Sequence, residues 1–549
     1  MWKVGDSMLW DSPEKLRALI CELVSWDSET LTQGEQLFSA KLFSKLQQLA
    51  YFKYNPTDLK RWEVEYGRSV IAANYRNLST KRTVVLLSHF DTVQIEEYAD
   101  LKPLATQPEL LTQKLLEKKG ILNKNAQKDL LSGDYLFGRG VMDMKMGLAL
   151  HLQLLEQAIE ENWPINLLLV TVPDEEVNSA GMREAVKQIN LLKQEEGLKI
   201  DLVLNSEPSF SKSPTDIQEY IYSGTIGKIM PAALFYGKET HVGEPLKGMT
   251  APYISSFLTA EMEWNELFLE EDYGEYTPLP VSLQLKDLKG QYSTQTPYRA
   301  VAMYNVFLLK RSASEIMDIF EEVTHTAMAK CQQRYEDICK KNNVTGIAPI
   351  RVLRFEQLQI YIEQKIGVEK VEQLIDKVVQ DKSLDDREKS LRIADSFMIH
   401  CQELAPATIL LFVPPYYPPA NSSEHPLVKN AIHMLLEEAK SFDIPLEQVH
   451  YFNGICDLSY CQFQTDENWK TYELNTPVWN RTYSIPFEEM ASINAPVLNV
   501  GPFGKDAHQI SERLHIKSAF EEMPVLLNKL IHFVIEEHEI KGSGAKLMQ

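Results

Sequence analysis

What the sequence lacks sets its first limits. Cysteine is scarce: Cys21, Cys331, Cys339, Cys401, Cys456 and Cys461 are scattered along 549 residues with no CxxC spacing. That pattern describes neither a thiolate metal site nor a disulfide framework, so reduced structural thiols in a cytoplasmic protein are expected. The even number leaves a secreted disulfide protein open by counting alone. The opening MWKVGDSMLWDSPEK argues against it, having no basic start followed by an apolar run. No apolar stretch is long enough to span a bilayer. Positive charge is the minority, with 56 Lys and Arg against 77 Asp and Glu and a formal net charge of −21. This speaks against nucleic acid or an anionic membrane as partner. What remains is a composition of 44% hydrophobic and 24% charged residues, that of a globular protein too long for one core.

Strands and helices alternate through the first part. Pro13 to Trp26 carries Leu16, Leu19, Ile20, Leu23 and Val24 at helical spacing behind Ser12 as N-cap, and a second helix is expected from Gln33 to Leu49. Thr83 to Ser88 (TVVLLS) and Asn166 to Val172 (NLLLVTV) read as strands buried on both faces, with a short one from Leu202 to Asn205. Leu101 to Asp134 reads as a polar loop excursion with one short helix. This alternation predicts an α/β fold with a mainly parallel sheet. From Ser223 the order becomes strand (to Tyr236), helix (Ala251 to Glu263), two strands (Val281 to Leu288, Arg299 to Leu309) and a long helix (Ala313 to Lys340). That is a smaller two-layer α/β domain, closed by a strand at Ile350 to Ile360 or Thr408 to Val413. The predicted division is 1–217, an inserted domain at 218–417 with an extra helical insertion near 363–405, and 418–549 returning to the first domain.

Ligands of open parallel sheets collect outside the carboxyl ends of the strands. Five groups fall there by sequence: His89 with Asp91, Asp143 in GRGVMDMKMG, Glu175 with Glu176, Glu207, and His508. Two imidazoles and several carboxylates without a thiolate suit a pair of divalent ions, zinc first, with cobalt or manganese as alternatives. His89 and Asp91 are two apart on extended chain, so the acid can hold the second ring nitrogen of the histidine. Glu175 and Glu176 are adjacent and point differently, so one can bind metal while the other faces a bound water. Two ions roughly 3.5–4 Å apart need a shared ligand, and Asp143, fixed by a glycine turn, is the bridge. Each residue has an ordinary reading alone: a surface histidine, a solvated glutamate loop, an acid at a helix N-terminus, a Glu-Pro turn. Five such coincidences in one order are harder to set aside.

The motifs SHFDTV, GRGVMDMKMG, PDEE, SEPS, SGTIGK…GKETHVGEP and GPFGKDAHQISE resemble, in order, those of the M20 family of dinuclear zinc peptidases and deacylases. Length and the NGICDLSY stretch resemble its RocB-type branch, associated with arginine utilisation. The resemblance implies a zinc-peptidase-like catalytic domain with an inserted lid domain. It implies that His89 and Glu207 complete one metal site and Glu176 and His508 the other, with Asp143 bridging two zinc ions. Asp91 would support His89. Glu175 would be the general base toward a water bridging the ions, cleaving an amide bond in a small N-acyl amino acid or short peptide. His241 would help polarise or hold the substrate, and in a homodimer formed through the lid domain it would reach the partner's site; a monomer is the alternative. Arg299 and Asp457 are further candidates for substrate contact. Phe307 stands where the family places a carboxylate-binding arginine, with Arg299 or Arg311 as substitutes, so recognition of a free α-carboxylate is in question. The competing reading is a catalytically inactive small-molecule binding or regulatory protein on the same scaffold. A nucleotide-binding dehydrogenase rests only on the glycines around Arg139, and the early GxGxxG it requires is absent.

Overall fold

The computed structural model describes residues 8–213, 216–463 and 469–546. The chain forms two compact units: Met1–Thr225, Ala420–Gln464 and Glu488–Gln549 make the first, Ile226–Pro419 and Thr465–Phe487 the second.

The first unit is built on an eight-stranded sheet in the order Leu59–Val64, Arg68–Tyr75, Asn166–Val172, Arg82–His89, Lys199–Asn205, Val497–Val500, Glu219–Tyr222, Leu446–Val449. The central four strands, from Asn166–Val172 to Val497–Val500, are parallel. Both faces of this parallel centre are covered, which explains the unbroken apolar runs. Val84 and Leu86, with Leu167 and Leu169, join one core with the helices Pro13–Ser25, Lys145–Glu161 and Pro426–Lys440 and the last helix. Val85, Leu87, Leu168 and Val170 are equally buried on the opposite face. The first helix begins as its sequence requires: Ser12 accepts the Lys15 amide, a proline occupies the first turn, and the five apolar residues are buried. Leu446–Val449 and Val497–Val500 return the chain to this sheet, while the last strands, Phe503–Lys505 and Arg513–His515, join Tyr135–Phe137 and Ser209–Phe210 in a separate small sheet.

The excursion at 101–134 differs from expectation. It holds two helices, Pro108–Lys118 and Lys124–Ser132, around their own small core of Tyr98, Leu101, Leu111, Leu115, Leu122, Leu130 and Phe137. Its apolar residues are too dispersed for one helical stripe, and only the fold collects them.

In the second unit the sheet order is Gly227–Ile229, Arg299–Leu308, Pro231–Tyr236, Ala407–Phe412, Arg351–Arg354, with Val281–Asp287 also on Arg299–Leu308. The stretch read as one strand from Ser223 is broken into Gly224–Thr225, Gly227–Ile229 and Pro231–Tyr236. The closing strand is Ala407–Phe412, antiparallel to Pro231–Tyr236; the other candidate is half strand and half helix, Arg351–Arg354 then Phe355–Ile366. The helices Ala251–Met262 and Ala313–Lys341 pack on one another. Chain order alone would put the Thr465–Phe487 stretch with the first unit. Its rings anchor it here instead: Tyr472 lies 5.2 Å from Phe412 and 4.7 Å from Tyr416 between ring centres, and the Phe412 amide donates to the Asn475 carbonyl.

Candidate functional site

Each acid or imidazole predicted for the metal site leaves the scaffold at an element boundary of the first unit. His89 is the last residue of Arg82–His89, Glu175 and Glu176 follow Asn166–Val172, and Glu207 follows Lys199–Asn205. Asp143 stands between the turn at Gly140, where φ is +75°, and the helix Lys145–Glu161. His508 follows the strand Phe503–Lys505 in a loop, itself at φ +63°. The parallel register brings the strand ends level, with His89 opposite Val172 and Leu87 opposite Asn205. Close approach does the rest: a Cβ on Gly147 would lie 2.4 Å from the Ser206 carbonyl oxygen, so only glycine lets that helix reach the strand end beside Glu207.

These side chains converge in two groups of three, His89–Asp143–Glu207 and Asp143–Glu176–His508. In each group the donor atoms lie within 4.8 Å of one another. His89 Nε2 is 3.3 Å from Asp143 Oδ1 and 3.4 Å from Glu207 Oε1. His508 Nε2 is 3.1 Å from Asp143 Oδ2 and 3.0 Å from Glu176 Oε1. Asp143 therefore offers one oxygen to each group, and the nitrogen and oxygen donors fit a pair of divalent ions sharing that carboxylate. Glu175 lies outside both groups, with Oε2 3.9 Å from His89 Nε2.

The electrostatics follow from crowding of carboxylates that are largely buried. Burial raises the pKa of Glu175 well above the carboxylate range, that of Glu207 to about 7, and that of Glu176 above its usual value. Burial opposes the charge on His89, but Glu207 and Glu175 overcome it and hold its pKa well above the ordinary value. Hydrogen bonds to Asp143 and Glu176 push His508 up to about 11. Asp143 is held low against its burial by the two imidazoles. A cluster that binds protons this tightly is one that cations stabilise.

Asp91 serves two purposes. His89 Nδ1 donates to the Asp91 backbone carbonyl at 3.1 Å, which leaves Nε2 as the free donor atom, while the carboxylate is 3.5 Å away. The same carboxylate accepts the backbone N–H groups of Glu175 and Glu176 at 3.1 and 3.3 Å and the Thr30 hydroxyl at 2.9 Å. Asp457 is also in the first unit and 3% exposed. Its carboxylate oxygens make no hydrogen bond of normal geometry among the described residues, although the Ser179 hydroxyl is near. Burial raises its pKa to about 7, and it feels the charge of His89.

The other two candidates belong to the second unit. His241 is exposed, its Nδ1 accepting the Gly243 amide at 3.1 Å. Arg299 is engaged with Asp395, 2.8 Å away. Arg311, the other substitute, donates to the Leu267 carbonyl. Sequence reasoning missed two buried charge clusters behind the site. Glu512 accepts from Arg139 at 2.6 Å and from the Gly140 amide at 2.7 Å, locking the glycine turn. Arg68, with Asp174 and Glu35, lies behind the Glu175–Glu176 turn. Their only sequence signal is a charge beside apolar residues.

A unit of this kind, with parallel strands ending in a cluster of acids and imidazoles, is the scaffold of a metal-dependent hydrolase. The chain belongs to peptidase family M20/M25/M40, whose model it matches over residues 85–532. Two relatives from Bacillus subtilis (strain 168) align over nearly their whole length. One is the uncharacterized protein YqjN, 38% identical over 542 residues, covering 97% of this chain and 99% of that protein. The other is RocB, 29% identical over 559 residues, covering 97% and 98%. Among solved structures, a tripeptidase from Staphylococcus aureus has a TM-score of 0.50 at 15% identity, covering 96% of this chain and all of that one. An M20 family metallo-carboxypeptidase from Sulfolobus solfataricus has a TM-score of 0.50 at 14% identity, covering 95% and 99%. The shared fold is that of M20 metallopeptidases and amidohydrolases.

Proposed function

We propose that the protein is a dinuclear zinc hydrolase that cleaves an amide bond in a short peptide or small N-acyl amino acid. The observation that carries this is the pair of donor groups joined by Asp143, one oxygen to each, with Glu175 beside them and outside both. His89 and Glu207 would hold one ion, Glu176 and His508 the other. The ions, when bound, supply Lewis acidity toward the carbonyl and lower the pKa of the attacking water. Glu175 takes the proton of the attacking water and returns it to the leaving nitrogen. Asp91 fixes the tautomer of His89 and the turn that carries Glu175. Asp457 is a substrate contact, and the family resemblance assigns the same role to His241 and Arg299. Resemblance to the RocB-type branch puts arginine derivatives among the substrates to test first.

The cysteines Cys21, Cys331, Cys339, Cys401, Cys456 and Cys461 are all free, which supports a cytoplasmic site of action. No helix among the described residues is long and apolar enough to cross a membrane. The second unit supports a homodimer. Its strand Val281–Asp287 pairs only with Arg299–Leu308 among the described residues and exposes Val281, Leu283 and Leu285 in alternation.

The test combines metal analysis with a screen of dipeptides and N-acyl amino acids, arginine versions included. Zinc reconstitution is expected to give about two ions per chain. Glu175→Gln is expected to keep them and lose turnover by about two orders of magnitude or more. Fewer than one ion per chain, or a Glu175→Gln variant as active as the parent, removes the proposal.

A further inference from the structure

The turn that carries Glu175 and Glu176 is held from behind by an arginine that the chemistry above does not use. Arg68 opens the strand Arg68–Tyr75 and is 2% exposed. Its Nη1 lies 2.6 Å from Asp174 Oδ1 and 3.6 Å from Glu35 Oε1; Glu65, nearer the surface, is 3.7 Å from Nη2. Asp174 and Glu35 are both buried. Burial, with the charge of Asp91, pushes the Glu35 pKa up to about 8. Of the two buried carboxylates, Asp174 is the nearer to Arg68 by 1.0 Å, and it is the one that Arg68 holds.

Asp174 is placed to govern the turn. It precedes Glu175 at φ +69°, a left-handed conformation that a residue other than glycine keeps only when its surroundings impose it. Its backbone carbonyl accepts the N–H groups of Val177, Asn178 and Ser179 at 3.4, 3.1 and 2.6 Å. Its Oδ2 accepts the amide of Ala180, first residue of the helix Ala180–Glu196, at 3.0 Å. One residue thus fastens both ends of the turn, while the Asp91 carboxylate fastens its middle. Asp91 is held in turn by Thr30, and Glu35 Oε2 accepts the amide of the next residue, Leu31, at 2.8 Å. Arg68 sits where these two sets of bonds meet.

We propose that Arg68 is a positioning residue for the hydrolytic reaction: by holding the Asp174 carboxylate it sets the directions in which Glu175 and Glu176 leave the turn, one toward His89 and the other toward His508. Two adjacent residues can serve two different tasks only if the backbone between them is fixed, and Arg68 with Asp91 fixes it from two sides. The inference rests on the roles proposed above for Glu175 and Glu176.

The test uses the full chain with Arg68→Met and Arg68→Lys. Cobalt(II) titration followed by visible absorption reads the ion sites, circular dichroism reads the fold, and kcat and KM are measured on the best-cleaved compound of the panel. In folded Arg68→Met the second cobalt ion is expected to bind about tenfold more weakly, as when support behind a metal ligand is lost. Its kcat is expected to fall by about tenfold or more with KM within about twofold, the mark of a misplaced catalytic group rather than a lost substrate contact. Arg68→Lys, which keeps the charge without the fork, is expected to fall between the two. A folded Arg68→Met with the parent's cobalt titration and kcat overturns the proposal. So does a loss of kcat that vanishes on cooling in step with the thermal unfolding curve, since that is a stability effect alone. Should Arg68→Met not fold, Arg68→Lys decides: a parental cobalt titration and kcat overturn the proposal there too. Glu175→Gln, run alongside, separates the failures: an active Glu175→Gln removes the assigned base, whereas parental behaviour confined to the Arg68 variants removes only the role of Arg68.

Discussion

A histidine among carboxylates and a histidine among hydrocarbons are different acids, and this chain has both within one unit. Glu207, Glu175 and Asp143 raise the pKa of His89, and Asp143 and Glu176 that of His508. His151, wholly buried in the helix Lys145–Glu161, meets the Ser206 hydroxyl at 2.9 Å and, among the described residues, no carboxylate. Burial pushes its pKa down from 6.5 to about 3. Between those values the unfolded chain carries a proton there that the native chain does not. The contribution to stability is therefore fully present above pH 6.5 and is lost as pH falls toward 3. The slope from this group is at most about 1.4 kcal/mol per pH unit. Urea unfolding of the parent and of His151→Leu between pH 4 and pH 7 should show a shallower acid loss in the variant. Parallel curves would mean that other groups carry the acid sensitivity. His151 was no candidate from sequence, whereas His89 and His508 were, because His89 ends a strand and His508 lies in the loop after one, while His151 lies inside a helix.

At the scale of elements, the helix Lys145–Glu161 is seated against the end of the strand Lys199–Asn205 through Gly147. The obstacle to a side chain there is backbone, the Ser206 carbonyl carbon and oxygen at 3.0 and 2.4 Å from an added Cβ, and it cannot rotate aside. Gly147→Ala should therefore cost about 1–3 kcal/mol by overpacking. It should also move Asp143, four residues earlier, relative to Glu207. A lowered midpoint in thermal unfolding together with weaker metal binding is the expected pair of results; an unchanged midpoint would show that the helix shifts freely. The strands TVVLLS and NLLLVTV were legible because burial on both faces leaves a contiguous apolar run. The helices of 101–134 were legible only in part, since Leu115 and Leu122 belong to one core but lie in different elements.

For the whole molecule, a net charge of −21 means that association of two copies must overcome repulsion, which apolar contact can do at short range. If the Val281–Asp287 edge joins two copies, Leu283→Lys with Leu285→Lys places charge in that contact and should give a monomer by light scattering, with the secondary structure unchanged. A parent that is already monomeric, or a variant that stays dimeric, would rule out this edge. The Thr465–Phe487 stretch also belongs to this scale. Its rings are unremarkable in sequence, and only packing against Phe412 and Tyr416 assigns them to the second unit.

By itself the sequence determined which residues end the central strands and which donors stand there, because apolar runs, helical spacing and glycine turns are written in neighbouring positions. The tertiary structure decided how those donors are shared. It gave Asp143 one oxygen for each group, turned the Asp91 carboxylate toward two backbone amides as well as an imidazole, and set Arg68 behind Asp174, 106 residues away in sequence. Hydrogen bonds and close ion pairs act over about 3–4 Å. No local pattern records which distant residues will come within that distance; only the folded backbone brings them there.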